Sequence, residues 1–84
     1  MAYCKIRVSA IGPISRALGK KEFELRIHAN QRLREILEQI GITGEDILNV
    51  YILVNGQPIE SLDNVDTKLL NGDKVTIISP VSGG

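Results

Sequence analysis

Tryptophan is absent from this chain, and only Tyr3, Phe23 and Tyr51 carry aromatic rings. Its core must therefore be aliphatic. A single cysteine, Cys4, excludes an internal disulfide framework and every multi-cysteine metal or iron–sulfur site. The single histidine, His28, has no cysteine or acid pair beside it and reads as a surface residue at a strand end. No apolar run approaches the ~20 residues that span a bilayer. Met1-Ala2-Tyr3-Cys4-Lys5 lacks the apolar segment of a secretion signal. The expectation is a cytoplasmic protein without membrane contact. No basic run interleaves with aromatics, so nucleic acid is not expected as a partner. Asn55-Gly56 and Asn71-Gly72-Asp73 open no helix and read as turns, not phosphate cradles. Glu45-Asp46 and Asp63/Asp66 read as solvated loop acids, leaving no metal site and no self-contained catalytic constellation.

What is present describes one small globular domain: 84 residues, 43% hydrophobic and 24% charged. Its charge sums to zero but is uneven along the chain. Residues 1–42 hold eight Lys/Arg against four acids (+4), and residues 43–84 hold two against six (−4). Such a split suits a polarised surface for protein partners.

Alternation marks the strands. Cys4, Ile6, Val8 and Ala10 share one face of Tyr3 to Ala10, with Lys5 and Arg7 on the other, and Ile11-Gly12-Pro13 breaks the run. Ile14 to Gly19 has room for one helical turn. Lys21 to His28 alternates again, placing Phe23, Leu25 and Ile27 inward, and should pair antiparallel with the first strand. Asn30 is read as the N-cap of a helix whose apolar stripe is Leu33, Ile36, Leu37 and Ile40, with Gly41 ending it. Val50 to Val54 is a strand, Asn55-Gly56 a tight turn, and Ile59 the start of a short return strand. After a polar stretch and the turn at Asn71-Gly72-Asp73, the last strand runs from Lys74 to Ser79. One helix across one face of a mixed sheet of four to five strands accounts for these stripes. That is the α+β β-grasp, or ubiquitin-like, architecture, with the first and last strands side by side and parallel.

The strand Val50 to Val54 is apolar on both faces. With Val50, Ile52 and Val54 inward, Tyr51 and Leu53 point outward; the last strand likewise turns Ile78 outward. Tyr51, Leu53 and Ile78, with Arg7 nearby, are the candidate partner-binding patch on the open sheet face.

The last stretch is Ser79-Pro80-Val81-Ser82-Gly83-Gly84. Pro80 cannot extend a strand ladder, so the expected division is a domain over residues 1–79 and a flexible tail over 80–84. Six extended residues at about 3.3 Å each reach about 20 Å. Gly83 and Gly84, lacking side chains, let a terminal carboxylate enter a channel closed to any other residue.

From Leu70 to Gly84 the chain resembles the C-terminal signature of the small subunit of molybdopterin synthase: a leucine, a Gly-Asp turn, an apolar strand, then Pro-Val-small-Gly-Gly. Leu53-Val54-Asn55-Gly56 is similar to the family's apolar-Val-Asn-Gly turn, and Ile36-Leu37 fits its helix. Ser79 stands where many members carry a second proline, and Ile11-Gly12-Pro13-Ile14 replaces a loop that often holds aromatic and Arg-Glu residues. The resemblance implies a carrier rather than a catalyst. An E1-like adenylating enzyme, using its own ATP and Mg, would activate the Gly84 carboxylate as an acyl-adenylate. A sulfurtransferase or desulfurase would then convert it to a thiocarboxylate. Docked on the large synthase subunit through Pro80, Val81 and Ser82, the tail would supply sulfur for the dithiolene of molybdopterin from its reactive end, Gly83-Gly84. A thiamine-type sulfur carrier and a ubiquitin-like modifier joined to lysines through Gly84 are the alternatives that the same chemistry allows.

Overall fold

The computed structural model describes residues 3–80 and shows a five-stranded mixed sheet in the order β2-β1-β5-β3-β4. Tyr3–Ile11 forms β1, Glu22–His28 β2, Tyr51–Val54 β3, Gln57–Pro58 β4 and Lys74–Ile78 β5. The β1 and β2 strands pair antiparallel, Tyr3 opposite His28 and Ser9 opposite Glu22. The last strand lies parallel to β1, with Val8 opposite Val75 and Ile11 opposite Ile78, and antiparallel to β3 on its other side. This is the expected β-grasp arrangement. The first strand extends one residue beyond the expected stop at Ala10. Ile11 still pairs with Ile78, and the chain turns only at Gly12, where φ is 91°.

Alternation decides the core. Ile6, Val8, Ala10, Ile27, Ile52, Val54, Val75 and Ile77 are all buried on the face that meets the helix. That helix, the second in the chain, runs from Leu33 to Gln39 (α2) and buries Leu33, Ile36 and Leu37 completely. Asn30 is not its N-cap: Asn30 adopts a left-handed φ of 64° in the turn after β2, and the helix begins behind Arg32. The Arg32 N–H donates to Glu35 Oε1 at 3.2 Å, so a carboxylate within the first turn satisfies a group the predicted cap would have served. Gly41 ends the helix as expected. With φ at 91°, its N–H reaches the Glu38 carbonyl and the Ile42 N–H reaches that of Leu37, the paired closure favoured by a left-handed glycine.

Short elements fill the connections. Ile14–Leu18 forms α1, one turn closed by Gly19, and Glu45–Leu48 forms α3, which the sequence pattern did not reveal. The expected return strand at Ile59 lies earlier, at Gln57–Pro58; Ile59 instead opens a 3₁₀ turn and buries its side chain. In the long connection after it, Leu69 is fully buried, tied by its N–H to the Gln31 carbonyl. Asn55, at φ 52°, bridges two turns: its amide donates to Asp73 Oδ1 and its Oδ1 accepts from the Lys74 N–H.

Candidate functional site

Outward residues of the three central strands stack in rows, because register fixes which side chains neighbour each other. Ile11, Ile78 and Tyr51 make the first row, Ser9, Thr76 and Leu53 the second, and Arg7 with Lys74 the third. Tyr51 is 65% exposed and Ile11 53%, while Ile78 and Leu53 are partly covered. The predicted outward orientation of Tyr51, Leu53 and Ile78 is present in the structure. Ile11 joins them; the Gly-Pro stop hid it in the sequence, although it continues the outward set of Arg7 and Ser9.

Arg7 occupies a different place from the one expected. Four positions along β1 separate it from Ile11, about 13 Å at a strand rise of ~3.3 Å per residue. Its guanidinium turns toward β2, donating to Glu22 Oε1 at 2.8 Å and to Glu24 Oε1 at 3.4 Å. The hydrogen bond to Glu22, then its charge and that of Glu24, raise the Arg7 pKa above its ordinary value. The same bond and charge hold the Glu22 carboxyl below the usual range. Arg7 therefore belongs to the β2 side of the open face, away from the apolar row.

The apolar row leads directly to the base of the tail. Beyond Ile78 the backbone stays attached to β1, the Ser79 N–H donating to the Ile11 carbonyl at 2.9 Å. The Ser79 hydroxyl accepts from the Ile14 N–H at 2.8 Å, joining the strand end to the start of α1. Gly12 makes this approach possible, since a Cβ there would clash with the Ser79 carbonyl oxygen. Two clefts flank Ser79. One, of about 450 Å³, lies among Leu48, Val50, Tyr51, Ser79 and Pro80; the other, of about 460 Å³, lies between α1 and Ile40, Ile42 and Val50. Leu48, on the unpredicted α3, is 83% exposed at the rim of the first. Pro80 is exposed where the strand ends. The predicted site residues Val81, Ser82, Gly83 and Gly84 lie outside the described residues.

Cys4 is buried in the core, and His28 sits exposed at the end of β2 with its ring 5.2 Å from that of Tyr3. Among the described residues no three His, Cys, Asp or Glu side chains converge on a point that could hold a metal ion. No helix among them is long and apolar enough to cross a membrane.

Solved structures of other proteins share this fold. Small archaeal modifier protein 1 from Methanosarcina acetivorans aligns over 100% of both chains at TM-score 0.75 and 20% identity. A Pyrococcus furiosus protein named as molybdopterin converting factor subunit 1 aligns over 93% of this chain and 99% of its own, at TM-score 0.75 and 24% identity. The complex of subunits 1 and 2 of the molybdopterin-converting factor from Helicobacter pylori contains a match over 95% of this chain and 99% of that one, at TM-score 0.57 and 25% identity. Comparison with curated proteins finds no match. The ThiS family model covers residues 11–84, from the exposed end of β1 through the tail base to the diglycine. The chain therefore belongs to the ThiS family and is a ubiquitin-like sulfur carrier of the β-grasp fold.

Proposed function

We propose that this protein carries sulfur as a thiocarboxylate on Gly84 and delivers it to the dithiolene of molybdopterin. The observation that carries the reading is the family match over residues 11–84, which takes in Gly83-Gly84 together with a β-grasp domain. A free carboxylate is a poor electrophile. Attack of a Gly84 oxygen on the α-phosphorus of ATP, within an E1-like partner, expels pyrophosphate and leaves AMP as a good leaving group on the acyl carbon. The terminal sulfur of a donor persulfide displaces AMP, and a thiol cleaves the resulting acyl disulfide to the thiocarboxylate. Sulfur then passes to the pterin precursor on a large-subunit partner. The likeness to a chain of the molybdopterin-converting factor complex supports that partner.

The domain's part is presentation. Ile11, Ile78 and Tyr51 offer an apolar surface beside the tail base, suited to partner docking, and Ser79 fixes the point from which the tail leaves. Intact-mass measurement on protein from its native host tests the proposal. Replacement of one oxygen by sulfur at the C-terminus is expected; a carboxylate that never acquires sulfur, with its partners present, overturns it. A second reading is favoured by the likeness to an archaeal modifier protein: Gly84 joined to lysines of other proteins through the same activated carboxylate. Gly-Gly remnants on target lysines would identify that use. A thiamine-type carrier differs only in the acceptor of the sulfur.

A further inference from the structure

The outer edge of β2 is an unpaired strand whose charges match themselves. β2 is the end strand of the sheet and, among the described residues, pairs only with β1. The Ala10 N–H donates to the Lys21 carbonyl at 2.8 Å, which fixes the phase of the ladder. Lys21, Phe23, Leu25 and Ile27 direct their backbone groups at β1, so those of Glu22, Glu24, Arg26 and His28 point outward. At His28 the edge is closed: its N–H donates to Gln31 Oε1 at 3.1 Å, and its carbonyl accepts from the Gln31 N–H at 3.2 Å. The outward groups of Glu22, Glu24 and Arg26 have no such partner among the described residues.

Side chains on both faces of this edge are also incompletely matched. Arg26 stands directly opposite Lys5 on β1, a like-charge pair that is unfavourable in a sheet, and no acid bridges it among the described residues. Glu24 holds only the longer, 3.4 Å contact with an Arg7 guanidinium that also serves Glu22. On the helix side, Phe23 and Leu25 are only partly buried at the margin of the core.

We infer that β2 is a self-association edge, pairing antiparallel with β2 of a second copy about a two-fold axis at Leu25. Of the symmetric registers that match the outward backbone groups, one centred on Glu24 sets Glu24 against itself and offers Arg26 only Glu22, which Arg7 already holds at 2.8 Å, and one centred on Arg26 sets Arg26 against itself. Only the register centred on Leu25 places Glu24 opposite the partner's Arg26 and Glu22 opposite the partner's His28, twice each by symmetry. Glu24 and the partner's Arg26 exchange both backbone hydrogen bonds, giving four across the axis. Leu25 meets the partner's Leu25 and Phe23 meets the partner's Ile27, covering the apolar margin. Each Arg26 gains an acid that its own chain does not supply. The ten-stranded sheet leaves the apolar row uncovered, since Ile11, Ile78 and Tyr51 lie one, two and three strands in from β2 on the open face.

The inference is independent of the sulfur-carrier reading and needs no partner enzyme. Sedimentation equilibrium of the full chain, in low salt, is expected to show a mass rising from 9.2 kDa toward twice that value with concentration. Four backbone hydrogen bonds and two charge pairs make a weak association, so the rise is expected between about 10 µM and about 1 mM. Arg26→Glu, which also removes the clash with Lys5 and so spares the fold, should weaken the dimer at least about tenfold by setting Glu24 against an acid. The double variant Glu24→Arg/Arg26→Glu should restore it. A mass of 9.2 kDa throughout the range overturns the inference, as does a dimer indifferent to Arg26→Glu.

Discussion

The Ser79 carbonyl oxygen lies so close to Gly12 that it leaves no room for a Cβ there. Together with the bonds from Ser79 N–H to the Ile11 carbonyl and from Ile14 N–H to the Ser79 hydroxyl, this contact locks the end of β5 into the turn after β1. Gly12→Ala must move backbone on one side or the other, and it also takes a side chain to φ 91°. A loss of about 2–4 kcal/mol is expected from strain and overpacking combined. Gly19→Ala is the control, because Gly19 has φ 73° but nothing within 4 Å of the added carbon, so only about 1–2 kcal/mol of backbone strain applies. Equal losses in urea denaturation would show that the approach of Ser79 contributes nothing.

Ser79→Ala leaves the Ile14 N–H without its acceptor in a part-buried position. The expected cost is about 1 kcal/mol. Amide hydrogen exchange at Ile14 should accelerate while exchange at Val75, in the middle of β5, follows only the global change.

Tyr51 is the most exposed member of the apolar row, so a charge there leaves the core intact. Tyr51→Glu should weaken binding to an adenylating or large-subunit partner by tenfold or more, about 1.4 kcal/mol, with little change in thermal midpoint. Arg7→Ala, whose side chain lies four positions away toward β2, should weaken it far less. Calorimetric titration of the two variants compares them; equal effects would mean that the docking surface extends beyond the apolar row.

Glu22 makes stability sensitive to acid. Its carboxyl is held below the ordinary value of 4.5 by Arg7, so the folded state binds that proton less readily than the unfolded chain. Stability from this pair is therefore complete above the unfolded value and is lost as pH falls through the lowered folded value. Glu22→Gln should flatten the decline of thermal midpoint below pH 4.5. High salt should reduce the difference from the parent, because the pair is exposed and screened.

Removal of Gly84 should abolish formation of the sulfur-loaded protein by its activating partners and leave urea denaturation unchanged. Mass spectrometry after incubation with those partners and ATP reads the first effect. Sulfur loading on the shortened chain would place the reactive group elsewhere.

Much of the architecture was legible because periodicity reports burial directly. Ile6 and Val8, Ile52 and Val54, and Val75 and Ile77 all appear as alternating pairs, and each lies in the core. The Leu33, Ile36 and Leu37 stripe is equally direct, and Gly41 announced the end of its helix. The misread positions follow local rules overridden by tertiary contact. Asn30 has the side chain of an N-cap, yet the turn after β2 needs a residue tolerant of positive φ, and Asn30 supplies that instead. Ile11 precedes a Gly-Pro pair that signals a break, but pairing with Ile78 carries the strand through it. Leu69 lies in a non-periodic stretch, where no pattern distinguishes a buried leucine from the exposed Leu70 beside it. The family was legible in the terminal motif, which its model covers, whereas the lock between Gly12 and Ser79 was not. Gly12 and Ser79 are 67 positions apart (79 − 12), and only the parallel pairing of β1 with β5 brings them together.

That parallel pairing also determines how the protein bears load. A partner that tugs the tail pulls along β5, which is held by β1 on one side and β3 on the other. Force in that direction slides β5 past its neighbours, straining whole rows of hydrogen bonds together instead of peeling them one after another. A partner that draws on the chain beyond Pro80 would thus load the sheet as a whole, and the domain would stay folded as the anchor.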